Sequence, residues 1–220
     1  MHQHNKFKAV LFDMDGTMFD TERLIYETIR KALTHVGKKD LAVLYLNSIG
    51  RTDEDIVAYL EKAFEINTDE EGEEFLKLYN FYLDQILTEA SFNVKPGLTK
   101  LLESIQSKGI KWGIVSSSTT ELIEKFCRWA NLEYTPDVMI SGSDIVAGKP
   151  RPEPYLAAAN KLGLSYQDCL VIEDSPLGVE AARRADMAVI MVPDLVKATP
   201  FEKEYALAVV ETLEDVIAYL

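Results

Sequence analysis

Two acidic pairs stand where carboxylates are costly. Asp13-Met14-Asp15 follows the apolar run Ala9–Phe12 and enters a Gly16-Thr17 turn, while Glu173-Asp174-Ser175 follows the apolar run Cys169–Ile172. Carboxylates set side by side at the end of a buried strand must either take up protons or share a cation. If both runs are strands of one parallel sheet, their ends open on the same rim and four acids meet there. Every donor in that set is oxygen, which suits Mg²⁺, an ion that takes a few carboxylates and keeps waters and substrate phosphate in its octahedron. Ser116, with Ser117 and Ser118 behind it, directly follows the apolar run Ile110–Val115. A hydroxyl and backbone N–H groups at a helix N-terminus there can hold a phosphate, a role compatible with helix capping. Lys149 lies in Gly148-Lys149-Pro150-Arg151-Pro152-Glu153-Pro154, a loop whose prolines restrict it, and would bring a cation to a rim crowded with acids.

These groups need a scaffold that gathers strand ends. Short apolar runs rich in β-branched residues recur at Ala9–Phe12, Ile110–Val115, Val138–Ile140, Cys169–Ile172, Ala188–Val192 and Ala206–Val210, and they read as strands buried on both faces. Helical patterns at Gly97–Ser107, Thr120–Trp129, Pro154–Leu162 and Leu177–Arg184 alternate with them. That alternation predicts an α/β fold with a doubly wound parallel sheet, whose chemistry sits at the carboxyl ends of the strands. Residues 19–90 break the alternation, with apolar stripes at helical spacing over Thr21–Val36, Asp53–Phe64 and Glu73–Leu87 and no convincing strand. They are expected to form a four-helix insert, a cap over residues 19–90 on an α/β core of residues 1–18 and 91–220, hinged near Met18–Asp20 and Ser91–Lys95. The acidic run Asp69–Glu74 reads as a solvated helix start.

The 220 residues carry 23 basic against 36 acidic side chains, a formal net charge of -13. A field of that sign argues against nucleic acid as a partner and means that an anionic substrate needs a local cation. Cys127 and Cys169 sit in apolar segments, outside any metal-binding spacing, and read as free buried thiols. No signal peptide, and no apolar stretch near the ~20 residues of a membrane span, is evident. The expected setting is cytoplasmic, with no obligate protein partner, and His2 and His4 read as part of a frayed end.

Taken together, FDMDGT, VSSS, GKPRPEPY and VIEDSPLGVEAARRA, in that order along the whole chain, resemble the haloacid dehalogenase superfamily. The likeness is to its phosphatase branch with a helical cap after the first strand, the β-phosphoglucomutase-like and phosphoglycolate phosphatase-like subfamily with a Rossmann-like core. Asp186 stands where relatives often have Gly in a turn, and Asp tolerates left-handed geometry. The resemblance implies Asp13 as nucleophile, Asp15 as general acid and then base, and Ser116, Ser117 and Lys149 around the transferring phosphoryl group. It implies Mg²⁺ held by the Asp13 side chain, the Asp15 backbone carbonyl and Asp174, with Glu173 a ligand or just behind one. Thr17 is expected in the phosphate-binding turn, hydrogen-bonded so as to orient Asp15. In the cap, Arg51 of the loop Ile49–Asp55 is the expected substrate contact; Glu22 is a second candidate whose alternative is a solvated first-turn acid. The substrate implied is a small phosphorylated metabolite, a sugar phosphate or similar.

The nearest rival is a β-phosphoglucomutase-type sugar phosphomutase. That family pattern has a His where Ile25 stands, an Arg near Asp53 and a Lys where Thr119 stands, so hydrolysis is the favoured outcome. A phosphate-accepting receiver domain also gathers acids and a Lys on a parallel sheet. It lacks a helical insert, however, and takes phosphate on a middle strand, where this chain has Ser141-Gly142. Dehalogenases do without the second acid of the DxD turn. Trp112 and Trp129 are both expected in the core, and His35 on the surface.

Overall fold

The computed structural model describes residues 6–49, 59–60, 62–64, 66, 68–89 and 93–220. Six strands, β1 (Ala9–Phe12), β2 (Lys111–Val115), β3 (Val138–Ile140), β4 (Cys169–Glu173), β5 (Ala188–Met191) and β6 (Ala208–Val209), pair in parallel in the order β3-β2-β1-β4-β5-β6. Alternation along β1 explains its wholly apolar composition. Val10 and Phe12 enter a layer with Leu98 and Leu101 of α3 (Leu98–Ser107) and Phe126 of α4 (Thr120–Trp129). Ala9 and Leu11 face the opposite layer, with Tyr155 and Ala158 of α5 (Glu153–Leu162) and Val179 and Ala182 of α6 (Pro176–Arg184). A strand covered by helices on both sides has no polar face to keep. The last helix, α7 (Pro200–Tyr205), begins with a capping box between Thr199 and Glu202.

The chain winds outward from β1 through β2 to β3, then returns to place β4 on the other side of β1. The winding direction therefore reverses between β1 and β4, and a crevice opens at their carboxyl ends. Phe12 pairs with both Ile114 and Ile172, and the Asp13 N–H donates to the Ile172 carbonyl at 2.9 Å. Both acidic pairs thus leave the sheet at one level.

Between β1 and α3 the described chain is helical: α1 (Thr21–His35), a 3-10 stretch over Lys39–Asn47, helical residues between Tyr59 and Ala63, and α2 (Asp69–Glu89). Ile29, Leu33, Ala42, Tyr45, Phe64 and Phe75 gather into an apolar cluster separate from the two that sandwich the sheet. The acidic run opens α2, where the helix dipole favours it. Most of the helix expected at Asp53–Phe64 lies outside the described residues, as do Arg51, Asp53, His2 and His4. The two connections pair with each other: Asp20 N–H donates to Asn93 O at 3.1 Å, Lys95 N–H donates to Met18 O at 2.8 Å, and Phe19 bridges Val94 in antiparallel fashion.

Trp112 is in the core, but Trp129 is 42% exposed, correcting the expectation: it ends α4 with its ring 5.9 Å from that of Phe126 and beneath the Lys125 ammonium. Asp186 adopts φ +56°, the left-handed conformation expected of it. Cys127 is half-buried and Cys169 buried, both free. Among the described residues no helix is long and apolar enough to cross a membrane.

The solvated reading of Glu22 fails. Gly16, at φ +79°, turns the chain so closely that a Cβ there would lie 3.1 Å from Glu22 Cγ. The carboxyl group is consequently buried in the first turn of α1, where the Tyr45 hydroxyl donates to it at 2.6 Å. Burial pushes Glu22 up to about 8 from 4.5, the Asp15 charge adding to the rise and the Tyr45 hydrogen bond opposing it. A carboxyl whose folded pKa is raised keeps a proton that the unfolded chain releases, so its contribution is full below pH 4.5 and is lost as the pH climbs toward about 8. Glu22→Gln, which stays neutral, should match the parent near the lower value in chelator and exceed its melting temperature by several degrees near the upper, at roughly 2–4 °C per kcal/mol. Thermal melts across that range check this; a difference independent of pH would contradict it.

Candidate active site

Asp13 follows β1 directly, and its Oδ1 accepts from the Lys149 ammonium. Lys149 is 2% exposed and also donates to Glu173 Oε1 at 2.6 Å and the Val115 carbonyl at 3.2 Å, with its charge 5.1 Å from the Tyr155 ring centre. One cation therefore ties the ends of β1, β2 and β4 together. Burial alone would push the Lys149 ammonium down, but Asp13 and Glu173 override it and hold it well above the ordinary lysine value. For Asp13 burial dominates: its carboxyl is raised despite Lys149, because Glu173 and Asp15 add like charge.

Asp15 is placed by hydroxyls. Thr21 at the start of α1 donates to its Oδ1 at 2.7 Å, while Ser116 and Ser118 after β2 donate to its Oδ2 at 3.2 and 3.0 Å. Burial raises its pKa above the ordinary aspartate value, and the three hydroxyls oppose the rise without cancelling it. Ser116 Oγ in turn accepts from the Ser118 N–H at 3.0 Å, so the loop after β2 is folded onto Asp15.

Glu173 and Asp174 divide their work. Both Glu173 oxygens are occupied: Oε1 takes Lys149 and the Tyr155 hydroxyl, and Oε2 takes the Asp174 N–H, the Ser175 N–H and the Ser175 hydroxyl. The helix start packs onto it so tightly that a Cβ at Gly178 would fall 1.7 Å from Oε1. Asp174, also buried, accepts from the Thr17 hydroxyl at 3.1 Å on Oδ1. Its carboxyl is raised well above the usual range by burial and by the charges of Glu173 and Asp13.

One carboxylate oxygen each from Asp13, Glu173 and Asp174 lies within 4.8 Å of the others. An all-oxygen set fits a hard divalent cation such as Mg²⁺. The saturation of Glu173 makes Asp13 and Asp174 the better side-chain ligands and Glu173 the group that holds Lys149 and the β4–α6 turn in place.

The structure brings Asp13, Asp15, Thr17, Ser116, Lys149, Glu173 and Asp174 to one rim. Thr17 does not orient Asp15 as expected; it bonds Asp174, and Thr21 takes the role because it begins the helix above the turn. Among the described residues Ser117 makes no side-chain hydrogen bond to the cluster: its backbone packs against Gly142, where a Cβ would come within 2.2 Å of its carbonyl. Ser118 reaches Asp15 instead. Tyr155 and Ser175 lie inside the GKPRPEPY and VIEDSPLGVEAARRA motifs without a residue type that points to their role, and nothing about Thr21 in the sequence marks it.

A family model for the haloacid dehalogenase-like hydrolases matches residues 10–192. The phosphorylated carbohydrates phosphatase of Thermotoga maritima is 33% identical over 178 residues, spanning 81% of each chain. The bifunctional riboflavin kinase/FMN phosphatase of Arabidopsis thaliana is 31% identical over 194 residues, 87% of this chain, which spans 50% of that protein's length. The β-phosphoglucomutase of Clostridium difficile superposes with TM-score 0.75 at 24% identity, over 96% of this chain and 93% of that one, a likeness of fold. The match over most of the chain, with the acids, lysine and serine gathered at the end of β1, places this protein in the haloacid dehalogenase-like hydrolase family, as an enzyme of its phosphatase branch.

Proposed function

We propose that the protein hydrolyses the phosphomonoester of a small metabolite in two steps, with Asp13 as nucleophile and Asp15 as acid and base. The observation that carries the reading is the pairing of a buried Asp13, fixed by Lys149, with a half-buried Asp15 whose pKa is raised and whose carboxyl is aimed by three hydroxyls. An Asp13 oxygen attacks phosphorus as the ester P–O bond breaks, and Asp15 gives its proton to the leaving oxygen. Asp15, now a carboxylate, takes a proton from water as that water attacks phosphorus, and the bond to Asp13 breaks. Lys149 and Ser116 bind the transferring oxygens in this reading. Mg²⁺, held by Asp13, Asp174 and the Asp15 backbone carbonyl, would offset repulsion between carboxylate and phosphate. Residues 19–90 act in this reading as a cap on a core of 1–18 and 91–220, closing the rim to bulk water.

Hydrolysis is favoured over phosphoryl transfer between sugar positions. Ile25 stands in the apolar wall of the cleft where the mutase pattern has a His, and Thr119 is spent as the N-cap of α4, accepting from the Leu122 N–H. A receiver-like role fits poorly, since the residue after β3, Ser141, is engaged in a capping box with Asp144.

Asp13→Asn should lower kcat by roughly 10³-fold or more while keeping a cooperative melt; turnover above a few per cent of the parent's would contradict the nucleophile. In kcat/KM, which reports the steps up to cleavage of the ester P–O bond, Asp15→Asn should cost about 10²–10⁴-fold with an alkyl phosphate and much less with p-nitrophenyl phosphate, whose leaving oxygen needs no proton. Equal losses on both esters would remove Asp15 as the acid. Chelation should stop phosphate release, with Mg²⁺ restoring it and Ca²⁺, larger and less strict in geometry, restoring little. Following free phosphate and isomerised sugar phosphate together checks hydrolase against mutase: phosphate without isomer is expected.

A further inference from the structure

A cavity of about 330 Å³ opens beside Asp15, between the helical segment and the sheet-bearing part of the chain. α1, α2, Tyr45 and Leu60 wall it on one side and α4 on the other, and ten of its sixteen lining residues are Leu, Ile or Phe. Its polar groups cluster around Asp15, where Thr21 and Ser118 already donate to that carboxylate, and Tyr45 gives its hydroxyl hydrogen to Glu22. Tyr79 contributes a ring stacked on Phe75 at 6.3 Å. Among the described lining residues there is no Lys, Arg, His, Asn or Gln.

We infer that the substrate's leaving group is an apolar or aromatic body, and that it occupies this cavity while its phosphate lies on Asp13. The inference rests on the phosphatase reading above. Asp15, the group that must reach the ester oxygen, sits in the cavity wall, so the leaving group extends from that oxygen into the space beyond. That space is large enough for a ring or a short chain. A ring or short chain fills it and gains by leaving water, each well-placed methylene contributing on the order of tenfold in kcat/KM. A polyhydroxylated body of the same size would bury hydroxyls against Leu24, Ile25, Leu76 and Leu122, which offer no hydrogen bond. A second phosphoryl group would meet no described cation there.

The test uses the full chain with Mg²⁺ and four phosphate esters of primary alcohols: benzyl and n-hexyl phosphate against glycerol 3-phosphate and glucose 6-phosphate. Acetyl phosphate, too small to need the cavity, reports the basic chemistry. The apolar pair is expected to exceed the polyol pair by at least about 30-fold in kcat/KM, and Ile25→Asn and Leu122→Asn should each narrow that ratio by about tenfold or more. A ratio near one, a preference for the polyols, or variants that leave the ratio unchanged would overturn the inference while acetyl phosphate turnover leaves the phosphatase reading standing. Failure to hydrolyse any of the five, acetyl phosphate included, would overturn both.

Discussion

The buried rim holds one cation against four carboxylates, and the rest of the molecule is arranged around that imbalance. Lys149 is shared between Asp13 and Glu173 and cannot also neutralise Asp15 and Asp174. In the chain alone burial, with like charge around Asp13 and Asp174, raises Asp13, Asp15 and Asp174 together, which favours protons on these acids. Such a site favours a divalent cation, which relieves the repulsion among the acids and offsets that of an incoming phosphate dianion.

The fold makes the imbalance tolerable by spending backbone and hydroxyl donors on it. Reversal of the winding between β1 and β4 puts the two acidic turns side by side, and the Asp13 N–H to Ile172 carbonyl bond keeps them level. Glu173 is the most heavily bonded of the four and touches Lys149, Tyr155 and the first turn of α6. Removing one partner from a buried pair of this kind costs about 3–5 kcal/mol, since the other charge is then stranded. The same close packing explains the small residues at Gly16 and Gly178, where an added Cβ would clash with the carboxylates of Asp174 and Glu173. Above the rim, Thr21 links α1 to Asp15, and Glu22 with Tyr45 ties that helix to the 3-10 stretch. The helical segment is thus joined to the chemistry through its first turn, beside the paired connections at Phe19 and Val94.

Much of this was legible in the sequence. Strand runs such as Cys169–Ile172 and Val138–Ile140 are apolar on both faces, a signal that owes nothing to tertiary detail, and β4 extends one residue further, to a buried Glu173 whose backbone pairs with Met191 of β5. Asp13, Lys149 and Asp174 were found because charge at the end of a buried strand is expensive and therefore conspicuous. The departures at Thr17 and Ser117 share one cause: hydrogen-bond direction depends on rotations that residue type does not reveal. Thr17 turned to Asp174, Ser118 rather than Ser117 turned to Asp15, and Glu22 went inward because Gly16 allowed α1 to approach. Trp129 ends exposed because α4 finishes there, an edge effect that helical spacing alone does not locate.

The central claim, that these acids are gathered to share a divalent cation, is tested most directly by calorimetric titration of the protein with Mg²⁺ in buffers of differing ionisation enthalpy. The account predicts binding accompanied by proton release at neutral pH, because the cation displaces protons held by Asp13 and Asp174, and an affinity reduced at least about tenfold by Asp174→Asn. Absence of binding at millimolar Mg²⁺, or binding that releases no proton and ignores the Asp174 substitution, would contradict it.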